Sequence, residues 1–347
     1  MSGLLELRNV TKVFGGGIFS KNRTTALEDL SFTLDTDQSS ITSIVGESGS
    51  GKTTVARLLL GMIAPTKGHI FYKGNDVAEM SRVERKEFRR EVQPIFQDPF
   101  EVFNPFYKVD HVLKVPISKF KLAGSAGEER SMINDALEMV GLRPDETLGR
   151  YPHQLSGGQR QRIMVARALL LKPRVILADE PVSMVDASLR ATILESIHKL
   201  NRELGISILY ITHDLTTAYQ ISDNILVLYR GSVAEGGSVE AVIKDPKHPY
   251  TQLLVGSIPQ PNPDLPWSER TSVVPVANRA VTGCKFADRC DSVMNLCWNN
   301  VPPRYQLDRY RVAACHLFQD SPVMTAADVS QVFAARTEMS GQTPSGK

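Results

Sequence analysis

The run Gly46-Glu47-Ser48-Gly49-Ser50-Gly51-Lys52-Thr53 fits the pattern G-x-x-x-x-G-K-[ST]. Each residue type has a chemical reason. Glycines let the backbone turn until successive N–H groups face phosphate oxygens. Lys52 brings a point charge to the β- and γ-phosphates of a nucleotide, and Thr53 offers a hydroxyl to Mg2+. A helix starting here adds the positive end of its dipole. Gly46, Ser48, Gly49, Gly51 and Thr54 complete the expected cradle. The alternative is a chance glycine-rich turn. The apolar strand ITSIVG before it and the apolar-periodic helix TTVARLLLGMI after it supply the context a phosphate loop needs. A second constellation ends the apolar run VILA in Asp179-Glu180. Carboxylates at the C-terminal edge of a strand can reach a metal and an attacking water. Asp179 suits Mg2+, and Glu180 suits a general base. Taken alone, the pair reads equally well as a surface turn.

These residues need elements to position them. LLELRNVTKVF and ALEDLSFTLD alternate apolar and polar residues and predict two strands. The stretch from about 81 to 165 reads as a mostly helical insert, with SRVERKEFRREV charged and 126–141 amphipathic, capped by Gly141. GGQRQRIMVARALLLKP is a helix, RVILADE a buried strand, SLRATILESIHKLNREL a long helix ending near Gly205, and ISILYITHD another buried strand. Strands alternating with helices predict an α/β fold with a parallel sheet. DNILVLYRGSVAEGGS reads as a late hairpin. From about 258 the chain turns Pro-rich, as a linker would, and the last ten residues read as frayed.

The segment Leu155-Ser156-Gly157-Gly158-Gln159 resembles the signature sequence of ABC-type ATPases. The order around it is also theirs: phosphate loop, Gln97 in PIFQDP, LSGGQRQR, VILADEP, Ser183-Met184-Val185-Asp186, and His213 in ITHD. The resemblance covers residues 4 to about 240. It implies a P-loop NTPase sheet with a helical subdomain, an antiparallel β N-terminal subdomain and a small Cys-rich C-terminal region. It implies that Phe14 stacks on adenine, that Gln97 senses Mg2+ and the γ-phosphate, and that His213 holds that phosphate and orients the water. Ser156, Gly157, Gly158 and Gln159, with Asp186, are implied to meet ATP held by an opposite subunit, so that two ATPs join a head-to-tail dimer.

His248-Pro249-Tyr250-Thr251-Gln252, and the tail CKFADRC to AACHL, resemble the C-terminal part of peptide-type importers for oligopeptides, dipeptides or nickel. An ATPase domain over 1–257, the Cys-containing region over 258–320 and a partly disordered tail over 321–347 are expected. The resemblance implies two separate membrane permease subunits, a second ATP-binding subunit (a different chain, with a second copy as the alternative), and an extracytoplasmic solute-binding protein. It implies a peripheral place on the cytoplasmic face of the membrane. The solute could equally be an oligosaccharide.

Composition sets the outer bounds. The chain has 347 residues, with 40 Lys and Arg against 38 Asp and Glu, so no basic footprint for nucleic acid is expected. No apolar run approaches the ~18–20 residues of a bilayer helix. Glu6 and Arg8 stand where a signal peptide would be apolar. The four cysteines, Cys284, Cys290, Cys297 and Cys315, all sit in one segment, which is unlike a secreted disulfide scaffold. Their spacing is not that of a zinc ribbon. Four thiolates on a loop-rich segment suit a 4Fe–4S cluster, as some members of the resembled group bind. Zn2+ on the same thiolates, or four reduced thiols, are the alternatives. Lys285 and Arg289 read as counter-charges for the thiolates, and His316 as a less favoured ligand. A soluble ABC ATPase, or a metal-cluster sensor using ATP, are the competing functional classes.

Overall fold

The computed structural model describes residues 3–15, 23–34, 39–98, 102–183, 185–258 and 282–333. In chain order its strands are β1 (Leu5–Gly15), β2 (Arg23–Leu34), β3 (Ile41–Val45), β4 (Lys67–Tyr72), β5 (Asn75–Asp76), β6 (Val92–Ile95), β7 (Val175–Asp179), β8 (Ser207–Thr212), β9 (Asn224–Tyr229), β10 (Ser232–Ser238), β11 (Tyr305–Asp308) and β12 (Arg311–Ala313). The chain divides into two compact units, Met1–Ala78 with Thr212–Lys347, and Glu79–Ile211.

The first unit holds an antiparallel sheet ordered β2-β1-β4-β5. Leu5, Leu7 and Val10 of β1 are all buried, although simple alternation would put Val10 on the other face. A register shift against β2 between Leu7 and Val10 restores the face, with Asn9 at φ 49°. A second set of strands runs β11-β12-β10-β9-β3. β3 and β9 are parallel, and every residue of both is buried. The expected hairpin is β9–β10. Tyr229 faces Ser232 across a two-residue turn whose Arg230 and Gly231 have φ of 44° and 79°, the signs a type I′ turn requires. β12 pairs with β10, so the Cys-bearing region continues this sheet. Residues after 320 also pack here: Thr33 donates a hydrogen bond to Asp328, and Val329 is fully buried. The Pro-rich run after Ile258 and the last ten residues fall outside the described residues.

The second unit carries three parallel strands ordered β8-β7-β6 and most of the helices. The helix Arg82–Glu91 starts at a capping box of Ser81 with Glu84. Helix Ala126–Met139 starts at Ser125, with Gly141 at φ 69° just past its end. Helix Ala187–Leu204 stops at Gly205 in the left-handed conformation. The first two fall within the stretch read as a helical insert, and the third lies between β7 and β8, as the expected α/β alternation has it. Of the insert's phenylalanines, Phe103 is core, Phe96 is half-buried and Phe106 is 86% exposed, while Phe100 lies outside the described residues.

Candidate active site

In the first unit the turn Gly46–Gly51 joins β3 to helix Lys52–Leu59. Two glycines are required by space. A Cβ on Gly46 (φ 151°) would lie 2.2 Å from the Leu228 carbonyl oxygen, and one on Gly51 (φ 107°) 2.5 Å from that of Ala26. The loop therefore sits flush against neighbouring backbone. Lys52 is buried, and its Nζ donates to the carbonyls of Gly46 (2.6 Å) and Glu47 (2.9 Å). Its ammonium is thus folded into the concave side of the turn. Ser48, Gly49 and Thr53 are exposed and Thr54 half-exposed, as groups that meet a ligand must be. The Ser50 hydroxyl is buried without a hydrogen-bond partner.

Residues far along the chain hold this turn. The backbone N–H of Glu47 donates to the Tyr250 hydroxyl at 2.8 Å. Gly231 N–H donates to the Ser50 carbonyl at 2.9 Å. Arg289 grips the Glu47 carboxylate with both terminal nitrogens, at 2.8 and 2.9 Å. Tyr250 follows His248 at the start of helix Pro249–Gly256, where His248 Nδ1 accepts the Tyr250 N–H at 3.0 Å. Burial pulls His248 down to about 4, so Nδ1 stays an acceptor at neutral pH. Tyr250, Tyr229 and Phe286 form an aromatic cluster with centroids 4.4–5.5 Å apart. The HPYTQ segment thus braces the phosphate loop, a role that its spacing gives no sign of. Elsewhere in this unit, Phe14 ends β1 with its ring 42% exposed and Lys12 Nζ 5.1 Å from the ring centre. His213 is exposed, just before Asp214 caps helix Leu215–Ile221.

In the second unit β7 delivers Asp179 and Glu180 at its C-terminal end. Glu180 sits at φ 46°, a conformation that costs a non-glycine residue energy and is held by its N–H bond to the Ile211 carbonyl at 2.8 Å. Gln97, just after β6, donates from Nε2 to Glu180 Oε2 at 2.9 Å. Two residues 83 positions apart are thereby joined. Ser156 caps helix Gly157–Leu169: its hydroxyl accepts the Gln159 N–H while Gln159 Oε1 accepts the Ser156 N–H, at 3.2 and 2.9 Å. A Cβ on Gly158 would lie 2.6 Å from Leu189 Cδ1, so a larger residue there would displace the end of that side chain. Gln161 Nε2 reaches the Phe96 carbonyl at 3.4 Å, linking this helix to the Gln97 segment. Asp186 is exposed at the start of helix Ala187–Leu204 with its side chain unused as a cap.

The four thiols lie in the first unit. Cys297 and Cys315 are buried, Cys284 and Cys290 half-buried. Burial pushes Cys290 up to about 11 and Cys315 up to about 12, and neighbouring thiols add to both. Cys315 feels all three others. The thiols thus share one neighbourhood, yet among the described residues no group of three or more His, Cys, Asp or Glu is gathered at metal-holding geometry. The expected counter-charges are engaged elsewhere. Arg289 pairs with Glu47, and Lys285 pairs with Glu28 at 2.6 Å and donates to the Arg230 carbonyl. His316 is buried against the Asn300 carbonyl at 2.9 Å.

Comparison with known proteins decides the family. The ABC transporter family model matches residues 27–183, and the model for the oligopeptide/dipeptide transporter C-terminal region matches 234–297. A probable peptide ABC transporter ATP-binding protein of Sinorhizobium fredii is 37% identical over 320 residues, 90% of this chain and 90% of that protein. The dipeptide transport ATP-binding protein DppF of Haemophilus influenzae is 40% identical over 86% of this chain and 91% of its own length. This chain belongs to the ATP-binding proteins of ABC transporters. The ABC ATPase also matches a solved dimeric ATP-binding cassette, MJ0796, in a post-hydrolysis state with ADP and Pi, at 30% identity and a TM-score of 0.60 over 68% of this chain and 98% of that one. It is accordingly an enzyme that hydrolyses ATP. Among the described residues no helix of the ABC ATPase is long and apolar enough to cross a membrane.

Proposed function

We propose that this ABC ATPase powers import of peptides or chemically related solutes. The observation that carries this reading is the match of residues 234–297 to the oligopeptide/dipeptide transporter C-terminal region, with HPYTQ built against the phosphate loop. Its domains are then 1–257 for the ATPase, with a helical insert at about 81–165, followed by 258–320 and a tail. Gly46, Ser48, Gly49, Gly51, Lys52 and Thr54 cradle the phosphates, and Phe14 stacks on the base. Thr53, Asp179 and Gln97 hold Mg2+, which offsets phosphate charge. Glu180 takes the proton of the attacking water, with Gln97 orienting its carboxylate, and His213 steadies the γ-phosphate. Ser156, Gly157, Gly158, Gln159 and Asp186 act on the ATP of a second ATP-binding subunit. Two permease subunits and an extracytoplasmic binding protein complete the assembly, with this chain peripheral on the cytoplasmic face.

Co-expression with candidate permeases in vesicles tests this reading. Peptide uptake that requires ATP and is lost with Lys52→Ala is expected. ATP hydrolysis with no permease association would favour a soluble ABC ATPase.

The thiol group is read as a 4Fe–4S site held by Cys284, Cys290, Cys297 and Cys315, which would supply structural or redox-sensing chemistry. Its support is the donor type and the neighbourhood that Cys315 shares with the other three thiols. Anaerobic purification with iron, sulfide and zinc analysis tests it. Four irons and four sulfides per chain are expected by analogy with such clusters. Zinc alone would leave a structural clip, and no metal would leave four plain thiols.

A further inference from the structure

Glu47 is the one acidic residue of the phosphate loop. It puts a carboxylate beside the place where a nucleotide brings several negative charges, on the turn whose carbonyls hold Lys52. Arg289, Arg230 and, least of the three, Lys52 all favour the ionised form of Glu47. A carboxylate loose at this point would repel phosphate and compete for the Lys52 ammonium.

The structure supplies a partner from the Cys-bearing segment. Arg289 ends the single turn Ala287–Arg289, between Cys284 and Cys290. Its guanidinium takes both Glu47 oxygens, at 2.8 and 2.9 Å, and lies 3.4 Å from the Tyr229 hydroxyl. The Glu47 carboxyl is held below the usual range, first by this hydrogen bonding, against the opposing pull of burial. Neighbouring contacts run the same way. Arg230 donates to Asp288 (2.9 Å) and to the Lys285 carbonyl (3.0 Å), and the next residue, Gly231, bonds the Ser50 carbonyl. The Cys-bearing segment therefore reaches the phosphate loop directly at Glu47, and at Ser50 only through the Arg230-Gly231 turn. A half-exposed ion pair adds little to stability. Its value lies in where it keeps the charge.

We propose that Arg289 is a positioning residue for ATP binding: it neutralises Glu47 and keeps that carboxylate from opposing the phosphates at Lys52. This rests on reading Gly46–Thr53 as the phosphate site. The consequence is that nucleotide affinity depends on a residue of the C-terminal region.

The test is ATP binding and steady-state ATPase kinetics on the full chain. Arg289→Ala is expected to weaken ATP about five- to tenfold, in Kd and KM alike, with kcat within about twofold. Adding Glu47→Gln to Arg289→Ala should return ATP affinity to within about twofold of the unaltered protein, because the repelling charge is gone. A purely mechanical brace predicts the reverse, a double variant at least as weak as the single one, and that result overturns the proposal. So does unchanged affinity in Arg289→Ala. Where Arg289→Ala does not fold, Arg289→Lys keeps the charge but loses the two-pronged grip. It should bind ATP about two- to threefold more weakly and be restored by Glu47→Gln, and no change in its affinity likewise overturns the proposal. Lys52→Ala separates the two levels. If it binds ATP normally, the phosphate-site reading has failed. If it loses ATP while the Arg289 variants behave as the unaltered protein, only the role of Arg289 has failed.

Discussion

The phosphate loop takes its restraints from residues up to 242 positions away, whereas the turn at Ser156 is closed by a residue three positions on. Both present backbone N–H groups at a helix start, where the helix dipole favours negative charge. They differ in what must be folded before they exist. The Ser156–Gln159 box forms as soon as its helix does. The Gly46–Gly51 turn needs Ala26, Leu228, Gly231, Tyr250 and Arg289 around it. One is a local motif and the other a tertiary one, though both look alike as strings of glycine and serine.

Removing a distant brace should therefore cost the phosphate loop most. Phe286→Ala opens the cluster of Tyr229 and Tyr250, and large-to-small changes of this kind cost about 3–5 kcal/mol. Denaturant unfolding should register that loss, and ATP titration should show weakened binding alongside it. A variant that loses stability but binds ATP normally would mean that the loop stands without its braces.

Acid should act on the same brace. Unfolded His248 takes a proton near 6.5, while the buried side chain resists until about 4. Its contribution is complete above 6.5 and is lost as pH falls toward 4, by at most about 3 kcal/mol. Glu235, buried and pushed up, slopes the other way as pH rises. The difference between the unaltered protein and His248→Gln isolates the histidine. Thermal melts from pH 7.5 to 4.5 should converge at low pH, and parallel curves would remove His248 from the brace.

At the strand end the expected losses are chemical. Glu180→Gln should lower kcat at least about a hundredfold, near 2.7 kcal/mol, while ATP binding and the melting point stay close to normal. Turnover within a few-fold of the unaltered protein would sink its assignment as base. The smallest effect belongs to the local cap. Ser156→Ala should cost about 1 kcal/mol of stability and leave ATP binding to the isolated chain intact. A loss as large as that of Phe286→Ala would erase the contrast between the two turns.

The same contrast explains how much could be read from the sequence. The turn Gly46–Thr53 was legible because its spacing, with a strand before and a helix after, fixes its local geometry, whereas Ser156–Gln159 was singled out, and Asp179–Glu180 told from a surface turn, only through resemblance to a family pattern. The β9–β10 hairpin was legible because Arg230-Gly231 is turn chemistry. Tyr250 as a brace was not, because a Tyr in HPYTQ carries no mark of which loop it meets. Arg289 read naturally as a counter-charge for the thiolates beside it, since sequence neighbours are visible and partners 242 positions away are not. Val10 needed a bulge that alternation alone does not announce.

The first unit is discontinuous: the chain leaves it at Ala78 and returns at Thr212, and Thr33 waits for Asp328, 295 residues later. During synthesis at roughly 5–20 residues per second, β2 is out of the ribosome for about 15–60 s before that partner has been made. The partner strand of β3 and the braces of the phosphate loop also come late. A nascent chain must therefore carry a finished ATP-binding motif in an unfinished core. A chain terminated after Thr53 but before Asn224 bears the motif without the β9 partner of β3, whose apolar faces are then open to misassociation, and one terminated between Tyr229 and Arg289 has that partner but not the Glu47 ion pair.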